Sequence, residues 1–474
     1  MPKFDAIIIG AGQAGPSLAS SLTKSGMKIA FVERHLFGGT CVNTGCIPTK
    51  TLIASAYTAH MARRAAFYGV TIPGEVSVDM KAVKARKDQV SGASRTGVEK
   101  MLRTMEGCTV YTGHARFESP TTIRVSNETN DLLEAPKIFL NVGARASVPP
   151  LPSIDQIDYL TNTRMLAIDT LPKHLVIVGG SYIGIEFGQM YRRFGSEVTI
   201  VEKSSRLIAH EDDDVSLAVQ SILETEGIQL RLNAECIHFK HDPTNPDLPY
   251  LVGTACTIGE PEIRGSHVLL AMGRKPNTDD LALDKAGVLI DKHGYITIDD
   301  HLRTNVPGIY ALGDCNGKGA FTHTAYNDFE IAAANLLHND DRRVSDRIPC
   351  YALYCDPPLG RIGLTETQVR ARVKETGKSA LIATRQMTRV GRAVEKGELQ
   401  GFMKVLVDAE TKKILGASLL GTGCDEAIHC LLDIMSAGSP YTTLQRTVHI
   451  HPTVSELIPT LLGDLKPLQE SHTV

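Results

Sequence analysis

Two segments of the chain repeat one pattern at one spacing, and this repeat constrains the fold more than any other feature. An apolar run, Ala6 to Ile9, ends at Gly10-Ala11-Gly12-Gln13-Ala14-Gly15. A helical stretch follows, then a second strand from Lys28 to Val32 that ends at Glu33. Leu175 to Val178 likewise runs into Gly179-Gly180-Ser181-Tyr182-Ile183-Gly184, followed by a helix and by the strand Glu197 to Val201, ending at Glu202. From Gly10 to Glu33 and from Gly179 to Glu202 the chain advances 23 residues. Strand, glycine turn, helix, strand and acid together describe a βαβ unit that binds a dinucleotide. In the first copy Gly10 permits the tight turn, Gly12 lets the backbone approach a pyrophosphate, and Gly15 lets the helix pack closely on the strand. The helix N-terminus offers N–H groups and the positive end of its dipole. Glu33 can accept hydrogen bonds from a ribose diol. The second copy departs from the pattern, since Ser181 stands where the middle glycine is expected, although serine is small enough to allow close approach. Glu202 suits the free 2′-hydroxyl of NADH, whereas Lys203 and Arg206 could meet the 2′-phosphate of NADPH. The two basic residues tilt the reading towards NADPH being usable.

At 474 residues the chain is too long for one core; roughly 100–200 residues per domain gives two to four. A formal net charge of -3 gives no electrostatic case for nucleic acid or an anionic membrane. No apolar run approaches the roughly 18 residues of a spanning helix. Ala6 to Ile9 runs straight into the glycine motif, so it reads as a buried strand and not as a signal peptide, and a cytoplasmic location is expected. Between the two units, Tyr68 to Pro152 holds a polar helical stretch around Lys81 to Met105 and then short strands. Pro149-Pro150-Leu151-Pro152 marks an interdomain crossing, because proline stiffens the chain and stops strands. After about Pro276 strand-and-turn character returns up to Gly313-Asp314, and Arg342 to Asp346 is a charged connection. From Ile348 onward, strands such as Gly401 to Val407 alternate with the helical stretch Cys424 to Ser436, which reads as a separate α+β domain.

Ten cysteines in a chain of this length are not a disulfide framework, and in a reducing compartment most are packed thiols. A close pair is therefore a redox or metal candidate. Gly38-Gly39-Thr40-Cys41-Val42-Asn43-Thr44-Gly45-Cys46-Ile47-Pro48-Thr49-Lys50 contains such a pair. Two cysteines five positions apart can close a small ring at the start of a helix, where the helix N-terminus favours the reactive thiolate. Pro48 fits an early helical position. Structural zinc is the alternative for any cysteine pair, and it needs four ligands. Cys350 and Cys355 could complete the count, but neither pair has the short gap of a zinc site. They read better as buried thiols beside Pro357-Pro358, and no metal site is expected.

The run Cys41 to Lys50 closely resembles the active-site motif of the class I pyridine-nucleotide disulfide oxidoreductases, a family that includes dihydrolipoamide dehydrogenase, glutathione reductase and mercuric reductase. The resemblance covers nearly the whole chain. Gly113-His114-Ala115-Arg116-Phe117 resembles the strand beside the adenine of FAD. Asn141-Val142-Gly143-Ala144 resembles the turn where the chain leaves the flavin domain, and Ala271-Met272-Gly273-Arg274-Lys275-Pro276-Asn277 its counterpart leaving the nicotinamide domain. Ile309-Tyr310-Ala311-Leu312-Gly313-Asp314 resembles the second flavin motif, whose aspartate holds the ribityl chain. The resemblance implies an α/β fold with two Rossmann-like dinucleotide-binding domains and a C-terminal α+β dimerisation domain. The segments are 1–150 and 276–345 for FAD, 151–275 for NAD(P), and 346–474 for dimerisation. It implies FAD contacts from Gly10, Gly12, Gly15, Glu33, Gly39, Thr40, Lys50, Ala115, Gly143 and Asp314. NAD(P)H contacts are implied for Gly179, Tyr182, Gly184, Glu202, Lys203 and Gly273.

By the same resemblance Cys46 lies against the flavin as the charge-transfer thiolate, and Cys41 is the exchange thiol. Lys50 stands near the reactive edge of the flavin, paired with Glu186, and Tyr182 covers the nicotinamide pocket. Read without the family, Glu186 is a helix-surface carboxylate. Near the C-terminus, His449-Ile450-His451-Pro452-Thr453-Val454-Ser455-Glu456 matches the family's His-Pro…Glu arrangement at His451 and Glu456. A histidine titrates near the operating pH and can take the proton of a dithiol, while a carboxylate on its other nitrogen fixes the tautomer. In the family this segment serves the other subunit, so a homodimer is implied.

Within the family, the chain resembles a mercuric-reductase-like group that includes the reactive-chlorine-resistance flavoproteins, through Ile47-Pro48-Thr49-Lys50-Thr51-Leu52 and Asp356-Pro357-Pro358-Leu359-Gly360-Arg361-Ile362-Gly363. Typical mercuric reductases end in a vicinal cysteine pair and lack the catalytic histidine. Here the sequence ends Gln469-Glu470-Ser471-His472-Thr473-Val474 and has His451, and no N-terminal metal-binding extension is expected. Glutathione reductases usually carry a second lysine where Thr49 stands. The expected acceptor is a disulfide, an oxidised thiol or a soft metal ion such as Hg(II) or Cu(II), since soft metals suit thiolates. Dihydrolipoamide dehydrogenase is the alternative enzyme, and a flavin-bound redox sensor or complex subunit the alternative of another class.

Overall fold

The computed structural model describes residues 1–126, 128–255 and 262–469. Ala6–Ile9 (β1) and Ile29–Glu33 (β2) are continuous apolar runs with every residue buried, as in parallel strands covered on both faces. They pair in parallel with Ala6 opposite Ile29, joined by Ala14–Lys24 (α1). Gly39–Asn43 (α2) and Cys46–Arg63 (α3) follow, then Met80–Thr104 (α4). The last is the polar helix expected at 81–105. Its start is fixed by Asp79, whose side chain accepts from the N–H groups of Lys81 and Ala82. Cys108–Thr112 (β3) and Ile138–Leu140 (β4) complete this stretch.

The second unit repeats the first. His174–Val178 (β5), Tyr182–Phe194 (α5) and Glu197–Val201 (β6) are joined by Gln229–Arg231 (β7) and His267–Leu270 (β8) in a parallel sheet of order β7-β6-β5-β8. The chain then returns, and Ile309–Ala311 (β9) closes the first sheet in the order β9-β4-β1-β2-β3, again parallel throughout. Thr322–His338 (α6) packs on α1. The sequence showed short strands only in the stretch between the two units. The structure holds a three-stranded antiparallel meander in each unit, of strands 114–119, 122–126 and 132–134 in the first and 235–241, 250–255 and 262–265 in the second.

The repeated glycines answer one steric demand in both units. Gly10 has φ +104° and a side-chain carbon there would lie 2.2 Å from the Asn141 carbonyl oxygen. Gly179 has φ +119°, with the same atom 2.3 Å from the Ala271 oxygen. Any larger residue forces the strand ends apart.

Cys350–Leu353 (β10), Leu359–Gly363 (β11), Glu366–Thr376 (α7), Ala380–Gln386 (β12), Phe402–Asp408 (β13), Ile414–Leu420 (β14), Cys424–Ser436 (α8) and Lys466–Pro467 (β15) form the C-terminal part. Its six strands run antiparallel in the order β10-β11-β14-β13-β12-β15. Val405, Val407 and Leu419 pack with Ile428 and Leu431 of α8 in one core. No helix among the described residues is long and apolar enough to cross a membrane. Residues 470–474, whose lack of cysteine entered the comparison with mercuric reductases, lie outside the described residues.

Candidate active site

The two glycine loops of the first unit meet. Gly39 opens α2 with φ +60°, and a side-chain carbon on it would stand 2.7 Å from the α-carbon of Gly12. The two bare backbones form the floor of a cleft of 1140 Å³. Gly10, Gly12, Glu33, Gly39, Thr40, Ala115, Gly143 and Asp314 line it, together with Cys41, Cys46, Lys50, Glu186 and Tyr182. Gly15 is not on the surface of the cleft. It is buried behind it, where a side-chain carbon would lie 2.4 Å from the Gly10 oxygen.

Cys41 belongs to α2 and Cys46 begins α3, and both are free thiols. The two side chains are hydrogen-bonded to each other. Thr322 Oγ1, at the start of α6, is 3.1 Å from Cys46 Sγ. The Cys46 thiol is drawn down to about 6, chiefly by the hydrogen bond from Cys41. Burial opposes this, and Thr322 and the Lys50 charge assist. Cys41 is pushed up as the hydrogen-bond partner of Cys46, with burial adding to the effect. The hydrogen bond and the nearby Lys50 charge thus favour the thiolate at Cys46 and the proton at Cys41.

Lys50 follows Cys46 by one helical turn. Its Nζ is 2.6 Å from Glu186 Oε2 and 4.5 Å above the ring of Tyr354. Glu186 Oε1 accepts from the Tyr354 amide at 3.1 Å. The helix-surface alternative for Glu186 fails, because its side chain is 9% exposed and turned into the cleft. The Tyr182 ring meets Tyr351 edge-on at 5.3 Å and Phe321 at 6.1 Å, and burial pushes its phenol up. Asp314 Oδ2 is 3.4 Å from Arg274 Nη2, and burial raises its carboxyl.

The two acids of the repeat behave alike. Glu33 accepts from the amides of Ala11 at 2.7 Å and His35 at 2.8 Å. Glu202 accepts from Gly180 at 2.7 Å and Ser204 at 2.8 Å. Each carboxylate ties the end of its second strand to its glycine turn. Gly179, Gly184, Glu202, Lys203 and Gly273 lie outside the cleft that holds the cysteines. Arg206 is drawn away to Asp213 and the Ala209 carbonyl, while Lys203 is exposed.

His451 and Glu456 are brought together, with Nδ1 2.9 Å from Oε2 and 3.1 Å from Oε1. His449 instead bonds the Thr447 carbonyl. The His451 side chain is 79% exposed and does not line the cleft of its own chain. Val448 and Ile450 beside it are exposed too, at 95% and 80%. Cys355 is buried with Sγ donating to the Pro357 carbonyl, and Cys350 is half-buried. Among the described residues no group of three or more His, Cys, Asp or Glu is placed to hold a metal ion.

Three residues of the cleft were not singled out by the sequence. Thr322 is 276 positions from the thiol it touches, and nothing local marks it. Tyr354 likewise has no local sign. Arg274 adjoins Gly273 inside a quoted motif, where its charge was the available signal. The cleft fits FAD on its own evidence. Two glycine loops are in contact where any side chain would fill the space, and the buried Arg274 Nε has no partner.

Comparison with known proteins agrees with this geometry. The pyridine nucleotide-disulphide oxidoreductase family matches residues 4–328, and that family's dimerisation domain matches residues 350–462. The probable pyridine nucleotide-disulfide oxidoreductase RclA of Escherichia coli (strain K12) is 33% identical over 472 residues, covering 98% of this chain and 100% of the relative. Mercuric reductase of Streptomyces lividans is 30% identical, covering 96% and 94%. Dihydrolipoyl dehydrogenase of Chlamydia muridarum is 31% identical, covering 96% and 95%. The solved Cu(II) complex of the HOCl-induced flavoprotein disulfide reductase RclA from Escherichia coli superposes with a TM-score of 0.87 at 33% identity, covering 98% of this chain and 99% of that one. With a cysteine pair poised for thiolate chemistry beside a dinucleotide-shaped cleft, and with relatives matched from end to end, the chain belongs to the pyridine nucleotide-disulfide oxidoreductases, a family of oxidoreductase enzymes.

Proposed function

We propose that the enzyme draws electrons from a nicotinamide dinucleotide through FAD and delivers them by way of Cys46 and Cys41 to a disulfide or a soft metal ion. The observation that carries this is the Cys46 thiol in the cleft, hydrogen-bonded to Cys41, 3.1 Å from Thr322 Oγ1, and drawn down by both with the help of the Lys50 charge. FAD, when bound, supplies the hydride acceptor and the relay of an electron pair to the cysteines. Gly10, Gly12, Gly39 and Thr40 offer backbone and hydroxyl groups for its pyrophosphate, and Glu33 suits a ribose diol. Ala115, Gly143 and Asp314 line the same cleft, and Lys50, held by Glu186, adds a positive charge near Cys46.

Gly179, Gly184, Glu202, Lys203 and Gly273 are the proposed nicotinamide-dinucleotide contacts, with Tyr182 covering the nicotinamide side. The Glu202 carboxylate at the second glycine turn and the engagement of Arg206 by Asp213 favour NADH over NADPH. With a disulfide acceptor, Cys41 gives up its proton and attacks one acceptor sulfur, the acceptor S–S bond breaks, and the departing sulfur takes the proton. Cys46 then attacks the Cys41 sulfur, reforming the disulfide and releasing the second acceptor thiol. With a metal acceptor, the dithiolate binds the ion and gives up an electron pair as the disulfide reforms, which reduces one Hg(II) or two Cu(II) ions. His451, oriented by Glu456, is suited to move the Cys41 proton. Its exposure beside Val448 and Ile450 supports a homodimer in which this segment serves the other subunit's cleft.

The RclA relative characterised as a Cu(II) complex and the mercuric reductases favour a soft metal ion as acceptor. The intact His451–Glu456 pair favours a second reading, dihydrolipoamide dehydrogenase. Steady-state turnover measured side by side with lipoamide, glutathione disulfide, Hg(II) and Cu(II) separates them. Metal-ion turnover with little lipoamide activity supports the first reading, and efficient lipoamide turnover the second. Turnover of none of the four overturns both.

A further inference from the structure

The face of the six-stranded sheet that meets the second dinucleotide unit carries charge. Directly opposed residues on neighbouring strands share one face of a sheet. The register places Tyr351, Arg361, Ser418 and Lys404 in one row across β10, β11, β14 and β13. Arg361 is 3% exposed, and Ser418 and Lys404 are 1%. Lys404 Nζ binds both Asp214 oxygens at 2.8 and 2.9 Å, and Asp212 and Glu366 at 3.1 Å. Asp212 also accepts from the amides of Glu366 and Thr367, and Glu366 pairs with Arg370.

Glu211 has no such support. Its side chain is fully buried, neither oxygen has a hydrogen-bond partner, and Arg361 Nε stands at 3.5 Å. Arg361 Nη2 and Ser418 Oγ are buried without partners as well. Four carboxylates (Glu211, Asp212, Asp214 and Glu366) thus share three cations (Arg361, Lys404 and Arg370). The one left without hydrogen bonds is the one whose ionisation costs most. Burial raises the Glu211 carboxyl to about 7, with Arg361 and Lys404 opposing the rise and Asp212 and Asp214 adding to it.

The row ends beside the active-site cleft, which Tyr182 lines and Tyr351 does not. Tyr351, opposite Arg361, places its ring 5.3 Å from that of Tyr182, and Tyr182 is close enough to Glu211 and Arg361 to feel both charges. We infer that Glu211, acting through Arg361 and Tyr351, is a positioning residue for Tyr182: ionised, it fixes Arg361 and keeps the aromatic cover closed; protonated, it lets the cover move. The inference rests on the reading of Tyr182 as the cover of the nicotinamide pocket. The ionised carboxylate holds the guanidinium by charge, whereas a neutral carboxyl leaves Arg361 to its carbonyl contacts at Ile362 and Ala417. Nicotinamide entry must displace Tyr182, so it becomes harder as Glu211 ionises.

The test compares NAD+ with ADP-ribose, which lacks the nicotinamide, by calorimetric titration of the oxidised holoenzyme across the Glu211 transition. The dissociation constant of NAD+ relative to that of ADP-ribose is expected to rise about fivefold between about pH 6 and about pH 8.5, at the low end of coupling between sites. E211Q is expected to hold the ratio at its low-pH value, and E211D to keep the slope. A flat ratio in the unaltered protein, or a slope that survives in E211Q, overturns the inference. Should E211Q not fold, Y351L breaks the contact with Tyr182 and leaves Glu211 in place. It is expected to flatten the ratio, and an intact slope there overturns the inference. Dithionite reduction of the same samples reports separately on Cys46. A missing long-wavelength band with the slope intact overturns the reading of Cys46 and leaves this inference supported. Failure of NAD+ to bind at all overturns the reading of Tyr182 and the inference together.

Discussion

Replacing Thr322 by valine keeps the shape of the side chain and removes the hydroxyl that lies 3.1 Å from Cys46 Sγ. A hydrogen bond to a charged group contributes roughly 1.5–3 kcal/mol. At about 1.4 kcal/mol per pH unit, its loss raises the Cys46 thiol by roughly one to two pH units. Cys41 supplies the larger downward effect and remains, so the lower end is expected. The thiol therefore moves up by about one pH unit, and the thiolate fraction at neutral pH falls. The sign is fixed. A lowered thiol is ionised above its transition, so raising it removes thiolate in the interval between the old and new midpoints. The assay is the long-wavelength absorbance of the two-electron-reduced enzyme, followed anaerobically against pH in both proteins. A midpoint higher in the variant is predicted. Coincident midpoints, or a lower one in the variant, refute the role given to Thr322.

His451→Gln is expected to slow dithiol–disulfide exchange ~100-fold or more while leaving flavin reduction by NADH unchanged, because it removes a proton carrier and no electron path. Stopped-flow measurement of the two half-reactions checks this, and equal slowing of both contradicts it. Glu202→Ala removes the acceptor for a ribose diol and loosens the Gly180 turn, so KM for NADH should rise ~10-fold with dithionite reduction unaffected. An unchanged KM contradicts the assignment. Lys404→Met strands Asp212 and Asp214 without their buried cation and should destabilise the fold by ~3–5 kcal/mol in denaturant unfolding. A change under ~0.5 kcal/mol would mean that the row carries no structural charge pairing.

The parts of this molecule legible in its sequence are those set by local sterics and short spacing. Gly10 and Gly179 announce their turns because no other residue fits under a carbonyl 2.2–2.3 Å from the side-chain position. Cys41, Cys46 and Lys50 lie within ten residues, and a helix start orders them whatever packs around. The strand expected at 401–407 and the helix at 424–436 appear at Phe402–Asp408 and Cys424–Ser436, because their patterns are long and bounded. What was hidden depends on register between distant strands. Thr322 reaches Cys46 only because α6 packs on α1, and Tyr351, Arg361, Ser418 and Lys404 line up only once four strands are paired. The two meanders were hidden for the same reason, since short strands show their partners only in the sheet. His451 is marked as a candidate by its Pro and Glu neighbours, yet it does not line the cleft of its own chain.

The central claim is that electrons entering from NADH reach the Cys41–Cys46 pair with Cys46 as the thiolate. Anaerobic titration of the holoenzyme with NADH, read by its visible spectrum, tests it most directly. The account predicts a long-wavelength charge-transfer band at two-electron reduction, its loss in Cys46→Ser, and its appearance before any reduction in Cys41→Ser, where the Cys46 thiolate is left free. Absence of the band in the unaltered enzyme, or its survival unchanged in Cys46→Ser, would contradict the account.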